Sequence, residues 1–93
     1  MAAELRATEE AAAALDALRA DATRPKLLAA VERALARLED DPGQEANRKI
    51  RFSVPFMWGI KARGEEEWII LWETDPEDSL VVIIKYIGPS SFP

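Results

Sequence analysis

The stretch Asp41-Pro42-Gly43 divides the chain into two halves of different composition. Ala, Leu, Glu and Arg dominate the residues before it, and these are strong helix formers. Val, Ile, Trp and Phe dominate the residues after it, and these favour strands. Because Pro and Gly cannot continue a helix, the pair should end the last helix of the first half. The sequence therefore predicts an α+β fold with helices first and a sheet second.

The first half predicts an N-terminal two-helix hairpin over residues 4–40. Apolar residues recur there at helical spacing: Leu5, Ala11, Leu15, Leu18 and Ala22, then Leu27, Leu28, Val31, Leu35 and Leu38. Such spacing places them on one face of each helix. Thr23 is the predicted N-cap of the second helix, and Pro25 is tolerated in its first turn. We expect alanines on facing sides to let the helix axes approach closely: Ala11, Ala14, Ala30 and Ala34.

The second half predicts a four-stranded antiparallel sheet over residues 48–87. Its strands are Arg48–Val54, Met57–Arg63, Glu67–Glu73 and Leu80–Ile87, with turns marked by Pro, Gly and Asp. The third and fourth strands are apolar on both faces, so we expect them to be central or nearly so.

The first two strands alternate in character, which predicts their register. Apolar residues of one parity should face the helices: Ile50, Phe52, Val54, Trp58, Ile60 and Ala62. A loop of odd length, residues 55–57, would pair Arg51 with Lys61, Phe52 with Ile60, and Val54 with Trp58. Directly paired residues share a sheet face, so the basic side chains should converge on the face away from the helices.

Composition bounds the possible functions. The chain has 93 residues and a net charge of −5, with 12 Lys and Arg against 17 Asp and Glu, so we expect one domain over residues 1–93. It has no Cys and no His, which excludes disulfides, thiol nucleophiles and triads that use histidine, and predicts no metal site and no cofactor. It has no apolar run long enough for a membrane span and no secretory signal, which predicts a cytoplasmic protein without a membrane partner.

Basic residues cluster in one part of this acidic chain. Between Asn47 and Gly64 no acidic residue occurs among five cations: Arg48, Lys49, Arg51, Lys61 and Arg63. Concentrated positive charge predicts a surface that faces an anion. The alternative is an ordinary solvated strand face that Glu65, Glu66, Glu67 or Glu73 folds back to neutralise.

Without His, RNA cleavage would need other proton carriers. Such a reaction requires a group that takes the 2′-hydroxyl proton and a group that protonates the leaving oxygen. Lys49, Lys61, Lys85 and Tyr86 are the candidates. Lys85 could instead extend its charge to water from the end of a buried strand, and Tyr86 could be a core residue with its hydroxyl at the rim.

Two motifs resemble the RelE/ParE toxin superfamily of type II toxin–antitoxin systems. They are Leu35-Ala36-Arg37-Leu38-Glu39-Asp40-Asp41-Pro42-Gly43 and Val81-Val82-Ile83-Ile84-Lys85-Tyr86-Ile87-Gly88, and the resemblance extends from about Ala11 to Phe92. It implies a helical hairpin over a small antiparallel sheet. It also implies a cognate antitoxin as partner, and either metal-independent cleavage of ribosome-bound mRNA, as in RelE-like members, or inhibition of DNA gyrase, as in ParE-like members.

The resemblance carries over to individual positions. Arg48, Lys49 and Arg51 resemble the basic residues of the family's first strand, and Lys61 and Arg63 those of its second. Together with the proton-transfer candidates, the predicted catalytic residues are Lys49, Arg51, Lys61, Arg63, Lys85 and Tyr86, with Arg48 as a further RNA- or anion-binding residue. Ile69 stands where the family has a characteristic arginine, and Phe92 lacks the hydroxyl of a terminal tyrosine. The leading hypothesis is a toxin-like protein whose basic sheet face acts on mRNA or another macromolecule. The alternative is a non-catalytic protein-binding module, either gyrase-inhibitor-like or an inert relative that keeps only the fold.

Overall fold

The computed structural model describes residues 3–41, 50–53 and 56–90, and for residues 50–53 and 56 it is the backbone that is described. These residues form two helices and five strands, which confirms the α+β class. In chain order the elements are β1 (Glu4–Ala7), α1 (Glu9–Ala20), α2 (Pro25–Asp40), β2 (Ile50–Ser53), β3 (Phe56–Arg63), β4 (Glu67–Thr74) and β5 (Val81–Pro89).

The strands form one mixed sheet in the order β1-β5-β4-β3-β2. Its last four strands in the chain pair antiparallel, as predicted, and β4 and β5 are interior strands. The prediction of a four-stranded, fully antiparallel sheet was wrong, because β1 adds a fifth strand that runs parallel to β5. The helical hairpin therefore does not begin at residue 4.

Backbone hydrogen bonds explain why the first residues extend along the sheet. The amide of Glu4 donates to the carbonyl of Leu80 at 2.8 Å, and the amide of Ala3 donates to the carbonyl of Glu39 at 2.6 Å. Thr8 then starts α1, since its hydroxyl accepts a hydrogen bond from the amide of Ala11 at 3.2 Å.

The first turn of α2 is capped by a distant residue. The predicted cap by Thr23 was wrong, because that hydroxyl donates to Asp21 at 2.5 Å. The carboxylate of Glu65, in the turn between β3 and β4, instead accepts from the amides of Lys26 and Leu27 at 3.0 and 2.7 Å. A negative charge at this position also interacts favourably with the helix dipole.

Both helices pack on one face of the sheet, where α1 lies over β5 and β1 and α2 lies over β3 and β4. The core consists of apolar side chains from the helices and from that sheet face, and the largest fully buried ones are Trp72, Leu18, Leu27, Leu38, Ile70, Val31 and Val82. No helix within the described residues is long and apolar enough to cross a membrane.

The two helices do not pack through the predicted alanines. Ala30 and Ala34 line a depression against Ala62 of β3, so they face the sheet and not α1. A groove of about 400 Å³ separates α1 from α2, and we call it the inter-helix groove. Larger side chains, among them Leu15 and Leu35, line its walls.

The predicted register of β2 on β3 was wrong. Arg51 pairs with Trp58 and not with Lys61, and Ser53 pairs with Phe56, which leaves two residues between the strands in place of three. An odd change in loop length moves a strand's residues to the opposite face. The position of Arg51 therefore belongs to the face of Trp58, Ile60 and Ala62. The expected burial of Ile60 and Ala62 is confirmed, and Trp58 is half-buried.

Candidate functional site

The sheet face away from the helices, here called the outer face, carries several of the predicted site residues. Lys61 and Arg63 of β3 are exposed there, as predicted. Tyr86 of β5 pairs with Leu71, whose side chain points to the same face. Arg48 and Lys49 lie outside the described residues. Arg51 is not brought to this face, because its backbone register assigns it to the helix-covered face.

Glu67 holds the two cations of β3. Its carboxylate lies 3.4 Å from the ammonium of Lys61 and 3.2 Å from the guanidinium of Arg63, and Ser90 donates a hydrogen bond to it at 3.0 Å. The hydrogen bond from Ser90, together with the charges of Lys61 and Arg63, holds the pKa of Glu67 below its usual range. This glutamate is therefore ionised at neutral pH, and it partly neutralises the basic residues, as the alternative interpretation of the sequence predicted.

Lys85 lies at the other end of β4. Its ammonium is 3.2 Å from the carboxylate of Glu73, beside a register shift in the pairing of β4 with β5. Glu67 and Glu73 are six residues apart on the same strand, which corresponds to about 20 Å at the rise of a strand. The two ion pairs therefore lie toward opposite ends of β4, whereas Lys61 and Tyr86 pair with Ile69 and Leu71, two residues apart on that strand.

Tyr86 has a structural role in this region. Its hydroxyl donates to the carbonyl of Pro89 at 3.0 Å. Its ring lies over Gly88 so closely that a Cβ at that glycine would be 2.5 Å from the hydroxyl oxygen. Tyr86 is thus half-buried and hydrogen-bonded, but it lies on the outer face and is not part of the core.

The centre of the outer face is apolar. Ile69 and Leu71 are both buried and lie between the two charged ends. Ile69, where the resemblance to RelE/ParE toxins leads us to expect an arginine, pairs with Lys61 on one side and Gly88 on the other. No cation of the described strands therefore occupies the middle of this face.

A second cluster of cations lies beside the outer face, and sequence reasoning missed it. Arg33 and Arg37 of α2 join Lys61 and Arg63 around a groove of about 180 Å³, here called the basic groove. Ala30, Ala34 and Ala62 also line it. The signal in the sequence was the four-residue spacing of the two arginines, which puts them on one helix face. The packing of α2 on β3 could not be read from that spacing.

The chemistry available at these sites is electrostatic. Lys and Arg side chains can bind anions and stabilise negative charge. Among the described residues no group of three or more Asp or Glu side chains is arranged to hold a metal ion. Comparison of the chain with protein-family models, with curated proteins and with solved structures finds no match in any of the three.

Proposed function

We propose that this chain is the toxin-like component of a type II toxin–antitoxin pair, and that it holds a macromolecular target on its basic surface without cutting RNA. The observation that carries the proposal is that the described candidates for proton transfer are each held by another group: Lys61 by Glu67, Lys85 by Glu73, and Tyr86 by the carbonyl of Pro89. A general acid and a general base must both come within hydrogen-bond reach of one phosphodiester. Binding needs only the summed charge, so it does not require a free proton donor and acceptor side by side.

The arrangement of the elements supports the family part of the proposal. Two helices cover one face of the sheet, and the four strands after them are antiparallel neighbours. Basic side chains are exposed on the opposite face and at its border with α2. The resemblance of the sequence to RelE/ParE toxins implies the same combination of a helical pair and a basic sheet face.

The inter-helix groove is the surface we assign to the antitoxin. Its lining includes Ala11, Leu15, Leu35, Ile84 and Ile87. Leu15 and Leu35 are half-buried, so part of their hydrocarbon contacts water in the isolated chain. The apolar face of an antitoxin helix would cover these side chains, which is a common mode of peptide recognition.

A ribosome-dependent ribonuclease is the second candidate. One observation favours it: Lys61, Arg63 and Tyr86 share the outer face, and Lys85 joins them through Glu73. An RNA phosphate that displaced Glu67 would meet an ammonium and a guanidinium together. In this case Tyr86 or Lys85 would have to carry the proton. Tyr86 would have to give up its hydrogen bond to Pro89, and Lys85 its ion pair with Glu73.

Induced expression and a cleavage assay on programmed ribosomes together test these proposals. We expect growth arrest without mRNA cleavage, loss of arrest in Lys61→Ala/Arg63→Ala, and retained arrest in the charge-matched control Arg6→Ala/Lys26→Ala. Cleavage by the parent that Arg63→Lys abolishes would establish the ribonuclease instead, since lysine keeps the charge and loses the bidentate phosphate contact. Absence of both arrest and cleavage would identify an inert relative.

The antitoxin part has a separate test. The product of an adjacent reading frame should co-purify with the chain and raise its melting temperature. A ligand at about 100 times its dissociation constant adds roughly 2.7 kcal/mol of stability. Leu35→Glu should abolish this stabilisation, whereas Leu80→Glu, at an exposed position away from the groove, should leave it unchanged. Equal stabilisation of both variants would exclude the inter-helix groove as the binding surface.

A further inference from the structure

The described residues that line the basic groove between α2 and β3 are four cations and three alanines, with no acidic side chain among them. Its side chains are accessible: Arg33 and Arg37 are exposed, the side chain of Lys61 is 56% exposed, and that of Arg63 is 80% exposed. The groove is distinct from the outer face, because α2 supplies half of its charge.

The local sequence builds this groove at a cost to the helix. Arg33 and Arg37 are four residues apart on α2, and like charges at that spacing destabilise a helix. Ala30 and Ala34 precede them on the same helix, and their small side chains leave a depression where larger ones would fill it. An acidic residue at either arginine position would have removed the repulsion.

The charge of the groove is only partly compensated. Lys61 and Arg63 share a single carboxylate, that of Glu67. Arg33 has no ion pair or hydrogen bond to any side chain within residues 3–41 and 57–90. The groove therefore keeps a positive excess that a bound anion would neutralise.

The size and lining of the groove indicate which anion fits. Its volume of about 180 Å³ is below the roughly 300–1,000 Å³ of pockets that enclose a small-molecule ligand. Among the described residues no aromatic side chain lines it, so this part of the groove offers no surface on which a base could stack. Two guanidinium groups can each bind a phosphate through two parallel hydrogen bonds.

We propose that the basic groove binds the phosphodiester backbone of a nucleic-acid strand, independently of base sequence. Contacts to phosphate position a strand but carry no sequence information, so binding through them does not depend on the bases. The inference does not rest on toxin activity, because a groove that binds phosphates would do so in an inert relative as well.

Fluorescence anisotropy with labelled single-stranded RNA tests the inference. The parent protein should bind a ten-nucleotide RNA and a DNA of the same sequence with similar affinity at low salt. Arg33→Gln/Arg37→Gln should weaken binding roughly tenfold. It should also reduce the steepness of log K against log [salt] by about 1.4, since each phosphate contact on a single strand contributes about 0.7.

The control is Arg6→Gln/Lys26→Gln, which removes the same net charge from exposed positions outside the basic groove. Glutamine keeps helix propensity, and circular dichroism melting verifies that each variant is folded. A twofold or smaller difference between the two double variants would overturn the inference. Absence of salt-dependent RNA binding by the parent protein would also overturn it. So would a competition in which an acidic peptide with the same net charge as the RNA displaces the labelled RNA more effectively than unlabelled RNA does.

The outcome separates this inference from the proposed function. Loss of growth arrest in Lys61→Ala/Arg63→Ala together with unchanged RNA binding in Arg33→Gln/Arg37→Gln would refute the groove alone. RNA binding that depends on both arginines in a protein that causes no growth arrest would refute toxin activity alone.

Discussion

Gly64→Ala should destabilise the protein far more than a single methyl group suggests. Gly64 lies in the turn between β3 and β4, against the first turn of α2. A Cβ at this position would be 2.2 Å from the amide nitrogen of Leu27 and 2.5 Å from the carbonyl carbon of Lys26. Ordinary contact begins near 3.4 Å, so the turn would have to move by about 1.2 Å. The obstacle is backbone, which cannot rotate away as a side chain can.

The magnitude follows from what this displacement disturbs. Overpacking a close-packed interior costs typically 1–3 kcal/mol, and a clash with backbone belongs at about 3 kcal/mol. The movement also stretches the hydrogen bonds that the amides of Lys26 and Leu27 donate to Glu65. For a chain of this length, 1 kcal/mol shifts the melting temperature by about 4–8 °C, so we expect a decrease of roughly 12–24 °C.

Gly88→Ala is the matched control, since it makes the same substitution at the other close contact. The added Cβ would meet the ring of Tyr86, a side chain that can turn away at the loss of its hydrogen bond to Pro89. That loss is worth about 1 kcal/mol. Thermal melting followed by circular dichroism compares the two variants. A Gly64→Ala protein that melts within a few degrees of the parent, or no lower than Gly88→Ala, would refute the close approach of the turn to α2.

Three further outcomes are expected. Desolvation alone would raise the pKa of Glu65, but hydrogen bonds from two backbone amides outweigh it and lower that pKa. Its contribution to stability is therefore present at neutral pH and lost as pH falls through the folded-state pKa, so the melting difference between parent and Glu65→Gln should shrink below about pH 4.3. Leu18→Ala should cost about 3 kcal/mol in urea denaturation, because the side chain is fully buried, whereas Leu80→Ala, 38% exposed, should cost under about 0.5 kcal/mol. Glu67→Gln should raise RNA affinity several-fold by freeing two cations of β3, and an equal gain in the charge-matched Glu77→Gln would contradict that reason.

The elements of the fold that could be predicted are those with strong local patterns. Helix α2 has a regular apolar stripe through Leu27, Val31 and Leu38, and all three side chains are buried. Strand β4 is apolar on both faces and is an interior strand. Each pattern depends only on which side chains of the segment are buried. It can therefore be recognised in the sequence without knowing which segment packs against it.

The elements that could not be predicted depend on distant residues. Strand β1 has four residues, and its single large apolar residue, Leu5, is also in phase with the helix that follows. Its pairing with β5 and the cap of α2 by Glu65 connect segments far apart in the chain. Local propensity contains no information on either contact.

The candidate site was predictable in part for the same reason. Lys61 and Arg63 alternate with buried residues of β3. Because side chains alternate between the two faces of a strand, the sequence alone predicted that both lie on the face away from the helices. Arg51 was misplaced because the centre of the outer face is itself apolar, at Ile69 and Leu71. Apolar residues of β2 could therefore suit either face, and alternation alone did not decide between them. Arg33 was missed because its neighbours across the groove come from β3.

The parallel pairing of β1 with β5 has a consequence for synthesis of the chain. Glu4 pairs with Val81, which the ribosome adds 77 residues later, and β5 enters the sheet between β1 and β4. At about 5–20 residues per second, the first strand waits roughly 4–15 s for its partner. During that interval β1 lacks the strand it pairs with, and once β4 is made its edge also awaits β5; each unpaired edge is a template for pairing with another chain. The speed of translation between β1 and β5 therefore sets how long these edges stay open to wrong association.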